Sequence, residues 1–183
     1  PPANAADFTF YFIGNFDEAA LRGYIEQYIA SLPGDAKKKE NYKNVAERPT
    51  GTVVNKFTKK METPKAIARM YWYSTTAPYT LENSILASAA GQVLSKLYLQ
   101  KIREEAGAAY SAGAAGSVQM VGDRVFTTLL GHCPMKPEMA DEAIKIMREE
   151  AVAISKSVDE ATLNEIKAVM LKDADAAGKE NSH

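Results

Sequence analysis

The sequence predicts an α+β fold, a mostly antiparallel sheet with helices packed on one face. Three observations carry this. Short runs rich in aromatic and β-branched residues recur along the chain, as in Phe8-Thr9-Phe10-Tyr11-Phe12-Ile13. Longer stretches place apolar residues at helical spacing, the longest running from Leu81 to Ile102. The resulting order is strand, helix, strand, strand, long helix, strand, strand, helix, helix, which suits a sheet covered by one helical layer.

Each element has its own signals. Pro1 to Asp7 reads as a tail or linker, and Phe8 to Ile13 as a buried strand ended by Gly14-Asn15. Asp17 is placed to cap a helix whose apolar positions are Leu21, Tyr24, Ile25, Tyr28, Ile29 and Leu32. Pro33-Gly34 stops it, and a polar loop runs from Lys37 to Gly51. Thr52 to Lys59 and Lys65 to Thr75 read as strands joined by Met61 to Pro64, with Ala77-Pro78 breaking the second. Thr80 can cap the long helix, whose predicted stripe is Leu81, Ile85, Ala89, Val93, Leu97 and Ile102 with Leu86 and Leu94 beside it.

Gly107 ends that helix. Ala108 to Met120 and Arg124 to His132 read as strands paired around Gly122-Asp123. Pro137 suits a first helical turn, and a helix to about Ser155 has Met139, Ala143, Ile146, Met147 and Val152 as candidates for its buried side. Asp159 or Ser157 caps a last helix that buries Leu163, Ile166 and Met170. The polar stretch from Asp173 to His183 is expected to fray.

With 183 residues the chain has the length of one domain, read as 1–183 with 1–7 as linker and 174–183 as tail. A chain of this size can bury about 70% of the surface its unfolded form exposes. It begins Pro1-Pro2 without Met, which predicts excision from something longer. Net charge is −1, which favours neither nucleic acid nor an anionic membrane surface. No run of about 18 apolar residues is present, so no membrane-inserting helix is predicted. The lone Cys133 excludes an internal disulfide.

A search for chemistry finds few candidates. The two histidines, His132 and His183, lie in neither a His-x-x-Glu-His nor a Cys-x-x-Cys pattern. His132 adjoins Cys133, but neighbours on a strand point to opposite faces and do not readily share a metal. His132 therefore reads as structural or superficial, and Cys133 as a small buried hydrophobe. Gly113-Ala114-Ala115-Gly116 has the spacing of a nucleic-acid-binding glycine loop, yet Tyr110 to Ser117 contains no Lys or Arg. Its small residues instead predict that another element packs closely over the strand. The run Lys37 to Lys39 reads as a solvated loop.

One segment stands apart, Tyr98 to Ser111, joining the long helix to a strand with Arg103 in the last helical turn and Tyr110 expected at the strand start. Arg103-Glu104-Glu105-x-Gly107-x-x-Tyr110 after a long amphipathic helix resembles the signature in the C-terminal half of insulinase/pitrilysin-type zinc metallopeptidases. Phe8 to Asp17, the helix ending Tyr28 to Pro33, and Cys133-Pro134 resemble other parts of these domains, and the resemblance extends from about Asp7 to Lys172. It implies a metallopeptidase-half, processing-peptidase-like domain. Such domains pair into two halves that enclose a chamber, with zinc held by His-x-x-Glu-His in the first half. This chain has no such motif, so the resemblance implies a C-terminal non-zinc domain, inactive alone, with zinc bound by another domain of the parent.

The resemblance further implies that Arg103 and Tyr110 contact the peptide substrate and the developing oxyanion in a supporting role. The partners implied are the N-terminal zinc-bearing half, or a partner subunit, and a peptide substrate. Nucleic acid and membrane insertion are not expected. The sequence carries no signal for the compartment, and a bacterial periplasm or cell envelope is the expectation only by analogy with the resemblance. The alternative is a non-catalytic structural homologue that serves as an assembly core or protein-interaction module. A nucleic-acid-binding α+β module would need a basic patch that the composition does not offer.

Overall fold

A strand forms only where a neighbouring strand takes up its backbone N–H and C=O groups. The computed structural model describes residues 4–38 and 47–179. It divides into two compact units, Pro1–Thr58 and Lys59–His183.

In the first unit Asp17 caps helix α1, Glu18–Tyr24, by accepting from the Ala20 N–H at 2.8 Å. The helix then widens into a π-helical turn, Ile25–Ile29. The ring centroids of Tyr24 and Tyr28 lie 6.5 Å apart. Asn4 ties the unit's start to its later loop, accepting from the Asp35 N–H at 2.7 Å. The strands expected at Phe8 to Ile13 and Thr52 to Lys59 do not form. Both segments are exposed and have no ladder partner among the described residues, so their aromatic and β-branched content alone does not make them strands. Parts of the expected linker (1–3), polar loop (39–46) and tail (180–183, with His183) lie outside the described residues.

The second unit holds a three-stranded antiparallel sheet ordered β1-β3-β2. These are β1 (Ala66–Ser74), β2 (Gly113–Val121) and β3 (Arg124–Met135). β2 begins five residues later than the sequence suggested, and the β2–β3 turn contains Gly122 at φ 63°. On β1, Ala66, Ala68, Met70 and Trp72 pack towards the core while Ile67, Arg69, Tyr71 and Tyr73 alternate onto the other face.

The helical layer contains α2 (Leu81–Tyr98), α3 (Ala140–Ile154) and α4 (Glu160–Ala177). Thr80 caps α2 through the Asn83 N–H, and Asp159 caps α4 through the Thr162 N–H. Ser157 is not the cap of α4. Pro137 opens a short 3₁₀ turn that leads into α3. α4 continues helical to Ala177, beyond the point where fraying was expected.

The core joins Leu94, Tyr98 and Ile102 to Cys133 and Met135 of β3 and to Ala143, Met147 and Ala151 of α3. The predicted stripe of α2 holds in its second half, where Val93, Leu94 and Ile102 are buried together with Gly91 and Tyr98, but at its start Leu81, Ile85 and Leu86 are exposed. Val152 of α3 is likewise exposed. Midway along, α2 lies directly over the β2 backbone. A Cβ built on Gly116 would stand 1.8 Å from the Ala87 carbonyl oxygen, and one on Gly91 would stand 2.2 Å from the Gly116 nitrogen. The small residues of β2 thus serve helix-on-strand packing.

These clashes are with backbone, which cannot swing aside. Gly116→Ala is expected to destabilise the second unit by at least the upper part of the usual overpacking range, about 3 kcal/mol. Gly23→Ala in α1, where an added Cβ meets nothing within 4 Å, should be neutral or slightly stabilising. Urea unfolding followed by far-UV circular dichroism checks both.

Candidate functional site

The residues singled out by the signature follow α2. After Tyr98 the helix widens into a π-helical turn, Leu99–Glu105, which closes with the Ala106 N–H donating to the Lys101 carbonyl at 3.1 Å. Such turns are rare and occur disproportionately at functional sites. Gly107, at φ 62°, then reverses the chain, a conformation that costs a glycine nothing. The Ala108 N–H reaches back to the Ile102 carbonyl at 2.9 Å. Residues 107–112 are a loop, so Tyr110 does not start the strand as expected. Ala108 and Ala112 on either side of it are buried, which pins the loop while Tyr110 itself is 90% exposed.

Arg103 lies on the outer side of the π-helical turn and is exposed. Ile102 beside it is fully buried in the core. Among the described residues neither Arg103 nor Tyr110 has a hydrogen-bond or ion-pair partner, so both polar tips are open to a ligand. They occupy consecutive segments, the turn and the loop that leaves it, and are not bonded to each other.

The π-helical turn is held from beneath. The Tyr98 hydroxyl donates to the Met147 carbonyl at 2.7 Å inside the core. Burial, with Cys133 and Glu150 adding to it, keeps this phenol protonated well above the usual tyrosine range. Lys101 donates from Nζ to Glu150 Oε1 of α3 at 2.6 Å, and Glu150 is 7% exposed. That hydrogen bond raises the Lys101 pKa against the opposing effect of burial, and the charges of Glu150, Glu105 and Glu149 add to the rise. Neither Lys101 nor Glu150 was singled out in the sequence. A signal existed, since Glu150 falls on the same helical face as Ala143 and Met147 and a carboxylate there must find a partner.

The remaining candidates separate. Cys133 pairs in register with Ala68 and points into the core, whereas His132 pairs with Arg69 and points to the other face. His132 Nδ1 is buried without a hydrogen-bond partner among the described residues. Among the described residues no three His, Cys, Asp or Glu side chains group as metal ligands. This donor set does not fit zinc. Burial pushes the Cys133 thiol up to about 11, which leaves almost no thiolate near neutral pH.

The family model described as Peptidase M16 inactive domain matches residues 4–170. The chain belongs to this family, the inactive domain of zinc peptidases of the insulinase type. It is 27% identical over 165 residues to a protein of Escherichia coli (strain K12) named as the probable zinc protease PqqL, covering 89% of this chain and 17% of that protein. The crystal structure of the periplasmic protease PqqL from Escherichia coli matches with a TM-score of 0.64 and 24% identity over 88% of this chain and 18% of that one. The ferredoxin protease FusC, in complex with Arabidopsis ferredoxin, matches with a TM-score of 0.64 and 18% identity over 93% of this chain and 18% of that one. These structural likenesses carry the α+β fold. The chain thus spans less than a fifth of the length of the proteins it matches.

Because its thiol is buried and held protonated, Cys133 is expected to react with an aromatic disulfide reagent at least about 100-fold more slowly in the native chain than in denaturant. The rate of thiolate release at neutral pH measures this. Comparable rates in the two conditions would show that the core opens readily there.

Proposed function

We propose that this chain is the C-terminal substrate-binding domain of a larger zinc metalloendopeptidase that hydrolyses peptides. In this reading the domain completes the peptide chamber opposite an N-terminal half, or partner subunit, that holds the zinc. Arg103 and Tyr110 touch the substrate. The observation that carries the reading is the pair of exposed polar tips, partnerless among the described residues, on a π-helical turn and loop that Ile102, Ala108 and Ala112 anchor in the core. Fixed supports beneath open donors are what a preorganised binding surface requires.

The chemistry suits both side chains. As a peptide carbonyl is attacked, negative charge grows on its oxygen. A guanidinium is always charged and offers a rigid fork of donors, and a phenol O–H adds one more. Donors aimed at that oxygen favour the transition state over the ground state, typically by a few kcal/mol each. The domain itself supplies no nucleophile or base in this scheme, which agrees with its family and with the protonated, buried state of Cys133. The chain works as one domain of the parent. A bacterial periplasm is the expected compartment, as it is for the related periplasmic protease PqqL. Among the described residues no helix is long and apolar enough to cross a membrane, and the chain carries almost no net charge to recruit nucleic acid.

In the full-length protein, Arg103→Ala and Tyr110→Phe are each expected to lower kcat/KM on an unstructured peptide by about 10- to 1000-fold. The loss should fall in kcat more than in KM, because the contacts strengthen as charge develops. Steady-state kinetics with purified protein measures both constants. Unchanged turnover in both variants would sink the reading and leave an assembly core, with the two side chains idle.

A further inference from the structure

The turn that carries Arg103 is attached to α3 by one charged contact, and the proposed substrate contact makes no use of it directly. Glu150 sits on the buried face of α3 with Ala143, Met147 and Ala151. A carboxylate in such a place is costly unless it is paired and hydrogen-bonded. Its partner is Lys101 Nζ, at 2.6 Å. Lys101 belongs to the π-helical turn two residues before Arg103, with the fully buried Ile102 between them. Two residues apart on a wide helical turn, side chains leave on roughly opposite sides. Lys101 therefore grips α3 while Arg103 faces outward.

We propose that Lys101 and Glu150 are positioning residues whose ion pair locks the rotation of the π-helical turn and thereby sets where Arg103 presents its guanidinium to the peptide. This rests on the substrate-contact reading given above. A helix that passes from α to π geometry has a choice of where to widen, and each choice rotates every later side chain. Apolar contacts from Ile102 fix the depth of the turn but are tolerant of rotation, because hydrophobic burial is non-directional. The Lys101 ammonium rides on a flexible stem, but its acceptor, Glu150, is buried on α3, so the bond limits how far the turn can rotate. Replacing such a pair with apolar residues is often neutral for stability, so the value of this one lies in geometry. The loop follows the turn, since the Ala108 N–H is bonded to the Ile102 carbonyl, and Tyr110 is two residues further on. The buried Ala108 and Ala112 anchor that loop on their own, so the lock acts on Arg103.

The test is a double-mutant cycle in the full-length protein, read as kcat/KM on an unstructured peptide. Glu150→Gln keeps shape and removes charge. It is expected to lower kcat/KM about tenfold with Arg103 present and less than about twofold in the Arg103→Ala background. Lys101→Gln, which alters the more exposed partner and leaves the α3 face intact, is carried through the same cycle and should behave alike, while Lys101→Arg should restore most of the activity. An equal loss with and without Arg103, or no loss at all from either variant, overturns the positioning role. The single Arg103→Ala variant separates the two ideas. If it loses activity and the cycle is additive, only the lock fails; if it loses none, the substrate contact fails and the lock with it.

Discussion

The whole second unit depends on how closely α2 lies against β2. With no side chain at Gly91 and Gly116, the helix rests on the strand backbone itself, Ala87 over Gly116. That contact sets the height and axial position of α2, and everything further along the helix inherits them. Tyr98 lands above Gly131, whose missing side chain leaves room for the ring; a Cβ there would stand 3.0 Å from it. The ring in turn brings its hydroxyl to the Met147 carbonyl, which joins α2 to α3 through the core. Were α2 held off by even one methyl group, the Tyr98 hydroxyl would lose this geometry, and a hydrogen bond of about 1 kcal/mol with it.

From that placement the outer turn follows. Leu94, Tyr98 and Ile102 are each four residues apart and all fully buried. An α-helix repeats every 3.6 residues, so a strict spacing of four slowly rotates off the core. Widening into a π-helical turn corrects the drift and keeps Ile102 inward. The cost is a turn with poorer intrinsic stability, and it is met by contacts from outside the helix: Ile102 in the core, the Lys101–Glu150 pair, and the Ala108 N–H returning across Gly107. This overdetermination turns a helix end, ordinarily the part that frays, into a rigid mount.

What the sequence made legible follows the same logic. Elements whose signals are local were readable: the caps at Asp17, Thr80 and Asp159, the Gly122 turn, Pro137 before α3, and the end of the long helix at Gly107. Arg103 and Tyr110 were singled out by motif and not by physics, since an exposed arginine near a helix end has an ordinary explanation in the helix dipole. What failed depended on partners distant in the chain. The strands at Phe8 to Ile13 and Thr52 to Lys59 had the right composition, but a ladder needs a second backbone. The stripe of α2 was legible at Val93, Leu94 and Ile102 but not at its start, where Leu81, Ile85 and Leu86 are exposed and the closest approach to β2 is marked by Ala87 and Gly91, residues with little or no side chain.

The contrast between the two charged contacts on the helical layer shows why burial decides their roles. Lys96 and Glu165 join α2 to α4, with side chains 35% and 59% exposed. Water competes for both, so the pair adds little and tolerates rearrangement. Glu150 has only 9% of its side chain exposed and no such freedom. Its carboxylate must be satisfied wherever α3 places it, so Lys101 is drawn to one point and the turn with it. A surface pair could hold α2 and α4 together in many arrangements; a buried carboxylate leaves the turn fewer. For a domain whose proposed contribution is the placement of donors supplied to another half's chemistry, that distinction matters more than the energy of either contact.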